Sequence, residues 1–120
     1  MSQKQKRKSK PAFKFYSPDD RRNYKVEFLV AEYANNGNLC LMLECVKTGE
    51  LYACVTTNME KLPPYMAHVK IVNENEGMVK FLLENKMGRF KERITEDYPL
   101  FAFDPAKIRE LDTENWYVKE

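Results

Sequence analysis

From Tyr24 to Tyr33 the chain alternates, with Val26, Phe28 and Val30 on one side and Lys25, Glu27 and Leu29 on the other. A period of two marks a strand that turns one face to a core. Asn35-Asn36-Gly37-Asn38 follows, and Asn-Gly supplies the positive φ angles of a tight hairpin turn. Leu39 to Val46 reads as a second strand, Thr48-Gly49 as the next turn and Leu51 to Thr57 as a third strand, giving an antiparallel meander. Two-residue turns at Asn36-Gly37 and Thr48-Gly49 would set Val30 opposite Leu43, Phe28 opposite Cys45, Cys45 opposite Tyr52 and Leu43 opposite Cys54. One face would then carry Val26, Phe28, Val30, Leu39, Leu41, Leu43, Cys45, Tyr52 and Cys54. The other would carry Leu29, Ala31, Tyr33, Cys40, Met42, Val46, Leu51, Ala53 and Val55. A half-solvated sheet shows polar residues on its wet side. Two apolar faces mean that both are covered within the chain or that one meets a partner.

Leu62-Pro63-Pro64-Tyr65 breaks the meander, and Ala67 to Val72 reads as a further short strand. Asn73 or Asn75 caps a helix running to about Met87, with Met78, Val79, Leu82 and Leu83 as its apolar stripe. Gly77 is merely tolerated in the first turn of that helix, and Gly88 stands where helices commonly end. Arg89 to Glu96 reads as a charged connector, then Tyr98 to Phe103 as a strand whose Pro99 puts its start at an edge. Asp104 at N-cap and Pro105 at N1 open a short helix over Ala106 to Leu111. Trp116-Tyr117-Val118 either docks back on the body or stays loose. The expected fold class is α+β: an antiparallel β-meander of about four to five strands, packed by one main helix and a short C-terminal helix.

Hydrophobic residues make up 43% and charged residues 32% of the 120, the balance of one folded domain. The charge is uneven. Lys4, Lys6, Arg7, Lys8 and Lys10 crowd the first ten residues, which hold no acid; against a net charge of +2 the remainder carries about −3. Residues 1–12 therefore read as a flexible basic arm and 13–120 as a single globular domain, entered through a turn at Ser17-Pro18. No apolar run is membrane-length and no signal-peptide pattern precedes the three cysteines, Cys40, Cys45 and Cys54. Reduced thiols and a cytoplasmic setting are the expectation.

Catalytic chemistry finds few footholds. His68 is the only histidine, so a triad or a His-based metal site lacks its partners by residue type. No Cys-x-x-Cys occurs, and small buried thiols suit packing. Glu74, Glu76, Glu84, Glu92, Glu96 and Asp97 are abundant acids, but nothing in their spacing makes a pair converge. The four glycines stand apart and build no phosphate-cradling loop. These readings point to no enzyme, no metal and no cofactor. Two basic groups remain as binding candidates: the arm, and Arg89, Lys91 and Arg93 around Phe90. The arm would suit nucleic-acid phosphates or an acidic protein surface. Tyr33 and Tyr52 are too few for an aromatic base-stacking platform.

The run Tyr33-Ala34-Asn35-Asn36-Gly37-Asn38-Leu39, followed by Gly49-Glu50, Leu62-Pro63, the helix at Glu76 to Met87 and Tyr98-Pro99-Leu100-Phe101-Ala102-Phe103-Asp104, resembles the bacterial domain-of-unknown-function family 4313 over about residues 24–111. The tail and the last nine residues fall outside the likeness. The resemblance implies a small protein encoded on a mobile element or phage, and carries over no catalytic residue. The reading is a non-catalytic interaction protein that binds a macromolecular partner, such as an inhibitor of a host defence nuclease of the anti-CRISPR or anti-restriction type. The alternative is a nucleic-acid-binding accessory protein that uses the basic arm. A protein partner is expected, nucleic acid is the second candidate partner through the basic arm, no membrane is involved, and a homodimer is a further option.

Overall fold

The alternation at residues 22–32 is realised as a long strand at the centre of the first of two antiparallel sheets. The computed structural model describes residues 10–119. The first sheet has the order β1-β2-β3-β4, built from Phe13–Ser17, Arg22–Glu32, Leu39–Cys45 and Leu51–Cys54. The second has the order β5-β6-β8-β7, from Thr56–Thr57, Met66–Val69, Leu100–Phe103 and Gly88–Phe90. Helix α1 spans Met78–Glu84 and α2 spans Pro105–Leu111. The α+β class and the β2-β3-β4 meander are as expected, but the described residues form eight strands, not four or five. β1 and β7 lay in stretches that read as a turn approach and a charged connector; β1 does alternate, with Phe15 and Ser17 buried, whereas β7 has only three residues and shows no period.

Both predicted registers shift. Tyr33 N–H bonds Asn38 O at 2.9 Å and Gly37 N–H bonds Tyr33 O at 2.8 Å, so the hairpin loop holds the four residues Ala34 to Gly37. Val30 then faces Leu41 and Phe28 faces Leu43. This slip is even, so Val26, Phe28, Val30, Leu39, Leu41 and Leu43 keep their common face and are buried. The next turn also holds four residues, closed by Cys45 N–H to Glu50 O at 2.9 Å. A bulge at Tyr52 then shifts the β3–β4 pairing by one residue, to Glu44 against Leu51 on one side and Leu43 against Ala53 on the other. That odd slip reverses the assignment for β4: Ala53 and Val55 are buried, and Cys54 faces out. Tyr52 keeps its expected side, packing on Phe15 and Tyr24 at 5.5 and 4.9 Å.

The predicted third strand is divided between the sheets. Val55 N–H bonds Leu41 O in the first sheet, while Val55 O accepts from Lys70 N beside the second, both at 2.9 Å. The core fills the space between, with Phe101 and Phe103 from β8, Val69 from β6, Ile108 and Leu111 from α2, and Tyr117. Helix α1 puts Phe81 among Phe13, Phe15 and Phe28, at centroid distances of 6.2, 5.0 and 5.8 Å. Each such pair contributes about 0.5–1.5 kcal/mol beyond its buried area.

The main helix is shorter than the apolar stripe suggested. Asn73–Asn75 form a 3-10 turn, and α1 starts only after Gly77. Gly77 is required there: its φ is +96°, and a Cβ would sit 3.0 Å from Tyr16 O and Pro18 Cδ. At the other end Lys86, φ +55°, takes the left-handed position expected of Gly88. Gly88 instead opens β7, where a Cβ would lie 2.1 Å from Ala102 O. β8 is interior to its sheet, not at an edge. Pro99 lies one residue before it and contributes only its carbonyl, which accepts from Val69 N at 2.9 Å. Asp104 caps α2 as expected, its carboxylate accepting from Ala106 N at 3.0 Å, with Pro105 in the first turn. No helix among the described residues is long and apolar enough to cross a membrane.

Candidate functional site

The sequence-selected basic residues do not form one patch. Lys4, Lys6, Arg7 and Lys8 lie outside the described residues. Lys10 is half-buried at the mouth of a groove beside β2. In β7, alternation sends Phe90 inward onto Phe101 at 4.7 Å and Arg89 outward. Lys91 is exposed beside it, its backbone N–H held by Leu100 O. Arg93 departs to a different feature, a hollow of about 170 Å³ around His68.

That hollow gathers Glu60, Glu92, Glu96 and Arg93 near the only histidine. His68 Nδ1 lies 2.8 Å from Tyr98 O and Nε2 lies 3.1 Å from the Glu60 carboxylate. Both neighbours are oxygen atoms that can accept from a ring N–H, and a neutral imidazole has one N–H to give. The imidazole beside Glu60 holds that exposed carboxyl below its usual range. Among the described residues no group of three or more His, Cys, Asp or Glu side chains could hold a metal ion. Glu74 and Glu84 pair instead with Lys70 and Lys80 along their own segments.

The three cysteines are free. Cys40 and Cys54 share the outer side of the first sheet with Tyr33, whose hydroxyl donates to Thr56 O at 3.2 Å. Burial pushes the Cys40 thiol up, away from the thiolate that redox or nucleophilic chemistry uses.

The Asn-rich motif forms a latch. Asn38, 4% exposed, donates to Glu60 O at 2.8 Å and to Asn58 Oδ1 at 3.1 Å, and accepts from Leu62 N at 3.0 Å. Asn36 donates to the same Asn58 oxygen, and Asn58 donates to Asn35 Oδ1 at 2.8 Å. The hairpin loop is thereby tied to residues 58–62, and within it the Asn38 backbone N–H donates to Asn36 Oδ1 at 3.1 Å. Asn58 was the partner that turn chemistry alone could not reveal.

The outer side of the first sheet carries apolar surface. On the outer face of the first sheet Leu29 stands opposite Met42 and Ala31 opposite Cys40, all half-buried, with Leu51 and Cys54 exposed on β4. Leu29 and Ala31 continue into a groove of about 410 Å³, whose far wall is Leu111, Asp112 and Trp116. Trp116 is 64% exposed. Its backbone N–H and that of Tyr117 both bond the buried Asp112 carboxylate, at 2.9 and 2.7 Å, which fixes the wall. The half-polar alternation that would betray this face was absent from the sequence, which left its cover undecided; Trp116 carried no periodic signal at all.

No curated protein and no solved structure matches the chain. A family model does, and it covers residues 28–119, reaching past the expected limit to take in the last nine residues except Glu120. Those residues include Tyr117, which is 2% exposed in the core. With Phe28 at the start of the match and the Asn latch, both helices and the Tyr117 anchor inside it, the chain belongs to the family described as a domain of unknown function, DUF4313.

Proposed function

We propose that this protein is a non-catalytic interaction protein that binds a protein partner through the outer face of its first sheet. The supporting observation is the apolar strip Leu29, Met42, Ala31 and Cys40, flanked by exposed Leu51 and running into the groove under Trp116. Contiguous apolar surface with an exposed Trp at its rim is the composition of a protein–protein contact. The sharper form follows the family resemblance: a mobile-element or phage protein that inhibits a host defence nuclease of the anti-CRISPR or anti-restriction type. Expressing the chain in a host that carries such a nuclease should raise the plating efficiency of a targeted phage. Unchanged plating across the nucleases tested would dismiss that form. For the broader reading, a Leu29→Glu/Trp116→Ala double variant with native circular dichroism should lose the partner that the natural chain captures; equal capture by both would sink it.

A second reading, nucleic-acid binding, is favoured by one register pair. Lys14 and Lys25 stand directly opposite each other, exposed, on the outer face beside Tyr16, which is 50% exposed. Like charges directly opposite destabilise a sheet, so the pair calls for a counter-charge, and phosphate supplies one. Removing residues 1–10 should weaken binding to a single-stranded oligonucleotide and flatten its salt dependence. An unchanged slope would remove this reading.

A further inference from the structure

The β1–β2 ladder ends at Phe13 opposite Val26, yet β2 runs on to Glu32. β3 uses the odd-numbered positions of β2: Tyr33 N–H bonds Asn38 O, and Lys25 O accepts from Val46 N. Alternation then points the N–H and C=O of Phe28, Val30 and Glu32 to the opposite edge, along the line of β1. No backbone bond between described residues reaches these groups. Continuing the β1 register, Pro11 faces Phe28; it has no N–H to give to Phe28 O, and its carbonyl does not take up the Phe28 N–H either, so the ladder stops at Phe13. One residue further back, Lys10 already lines the groove beside Leu29 and Ala31.

We infer that this open edge of β2 is a strand-docking site and that its occupant is the chain's own basic arm, residues 7–9. The register that pairs Phe13 with Val26 sets Ser9 opposite Val30 and Arg7 opposite Glu32, both as hydrogen-bonded pairs. No linker is needed, because the described chain enters the groove at Lys10. The charges agree. Lys8 and Lys10 would fall on the outer face with Leu29 and Ala31, bordered by Glu27 and by the groove's Asp112. Arg7 would meet the Glu32 carboxylate, which Lys119 approaches at 3.0 Å. Long unpaired edges are templates for aggregation, and natural sheets cover them. The arm then acts as a fifth strand that adds its lysines to the outer face. This holds whether or not that face binds a partner.

Amide hydrogen exchange on the full chain tests it. The Val30 and Glu32 amides should exchange on the order of tenfold more slowly than in a chain lacking residues 1–9. The same loss of protection should follow Ser9→Pro, which removes the donor to Val30 O. Leu41, in the β2–β3 ladder, should be unchanged throughout, showing that the fold is intact. A nuclear Overhauser contact between the Hα atoms of Lys8 and Ala31 should appear in the full chain. Fast exchange at Val30 and Glu32 in the full chain would overturn the inference, and so would equal protection without residues 1–9. Protection that vanishes on dilution would assign the edge to a strand from a second copy and overturn it as well.

Discussion

Tyr117 accepts the Tyr65 backbone N–H on its hydroxyl at 2.8 Å, while the two rings meet edge to face at 5.3 Å between centroids. The contact joins the end of the chain to the segment leading into β6 and closes one end of the core. Tyr117→Phe keeps the ring but leaves a buried N–H without an acceptor, which costs about 1–3 kcal/mol. Tyr117→Ala also empties a large core position and should cost about 3–5 kcal/mol. Urea unfolding measures both, and a Phe variant as stable as the natural chain would show that the hydrogen bond is replaced by water.

Gly77→Ala separates two opposing effects. In a helix interior alanine is favoured by about 1 kcal/mol. Here the residue precedes the helix at φ +96° with Tyr16 O and Pro18 Cδ 3.0 Å from the added Cβ. Strain at such a dihedral costs on the order of 1–3 kcal/mol, so the net effect should be destabilising. A higher melting temperature for Gly77→Ala would reverse that judgement.

These two sites also show what the sequence could carry. Strand alternation and Asp104-Pro105 were legible because their signals are local. The meander order survived a misjudged loop length because an even slip keeps faces. The bulge at Tyr52 was not legible: it depends on how a four-residue turn meets the pleat of β3, and one residue of error turned Cys54 outward. Gly77 and Gly88 are fixed by Tyr16 and Ala102, neighbours distant in sequence that no window contains. The candidate surface was half-visible. Two apolar faces were evident, but which one stays open depended on where the second sheet and Trp116 sit.

Asn38→Asp tests the latch. The side-chain N–H₂ donates to Glu60 O and Asn58 Oδ1, and a carboxylate would set an acceptor against two acceptors in a buried site. The loss should exceed that of an ordinary hydrogen bond, about 2–4 kcal/mol at neutral pH. It should shrink as the pH falls and the new carboxyl takes up a proton. A cost that does not change between neutral and acid pH would mean that repulsion is not its source.

Alkaline stability should turn on Tyr33. Burial pushes its hydroxyl up to about 12 from the model-peptide value of 10.0, while the Thr56 hydrogen bond pulls the other way. Burial moves Tyr52 and Tyr117 in the same direction. Between these limits the unfolded chain releases the phenolic proton and the folded chain keeps it, so the unfolded state binds fewer protons and stability falls as pH rises. The contribution is intact below pH 10 and is lost progressively toward 12. Tyr33→Phe removes one titrating group from that window. Its unfolding midpoint should therefore decline less steeply from pH 10 to 12 than that of the natural chain. Absorbance at the phenolate band gives the independent check, since the natural chain should show one more late-ionising tyrosine than the variant. Identical slopes for the two proteins would mean that Tyr33 ionises equally well folded and unfolded, with its ring reaching water through the open outer face.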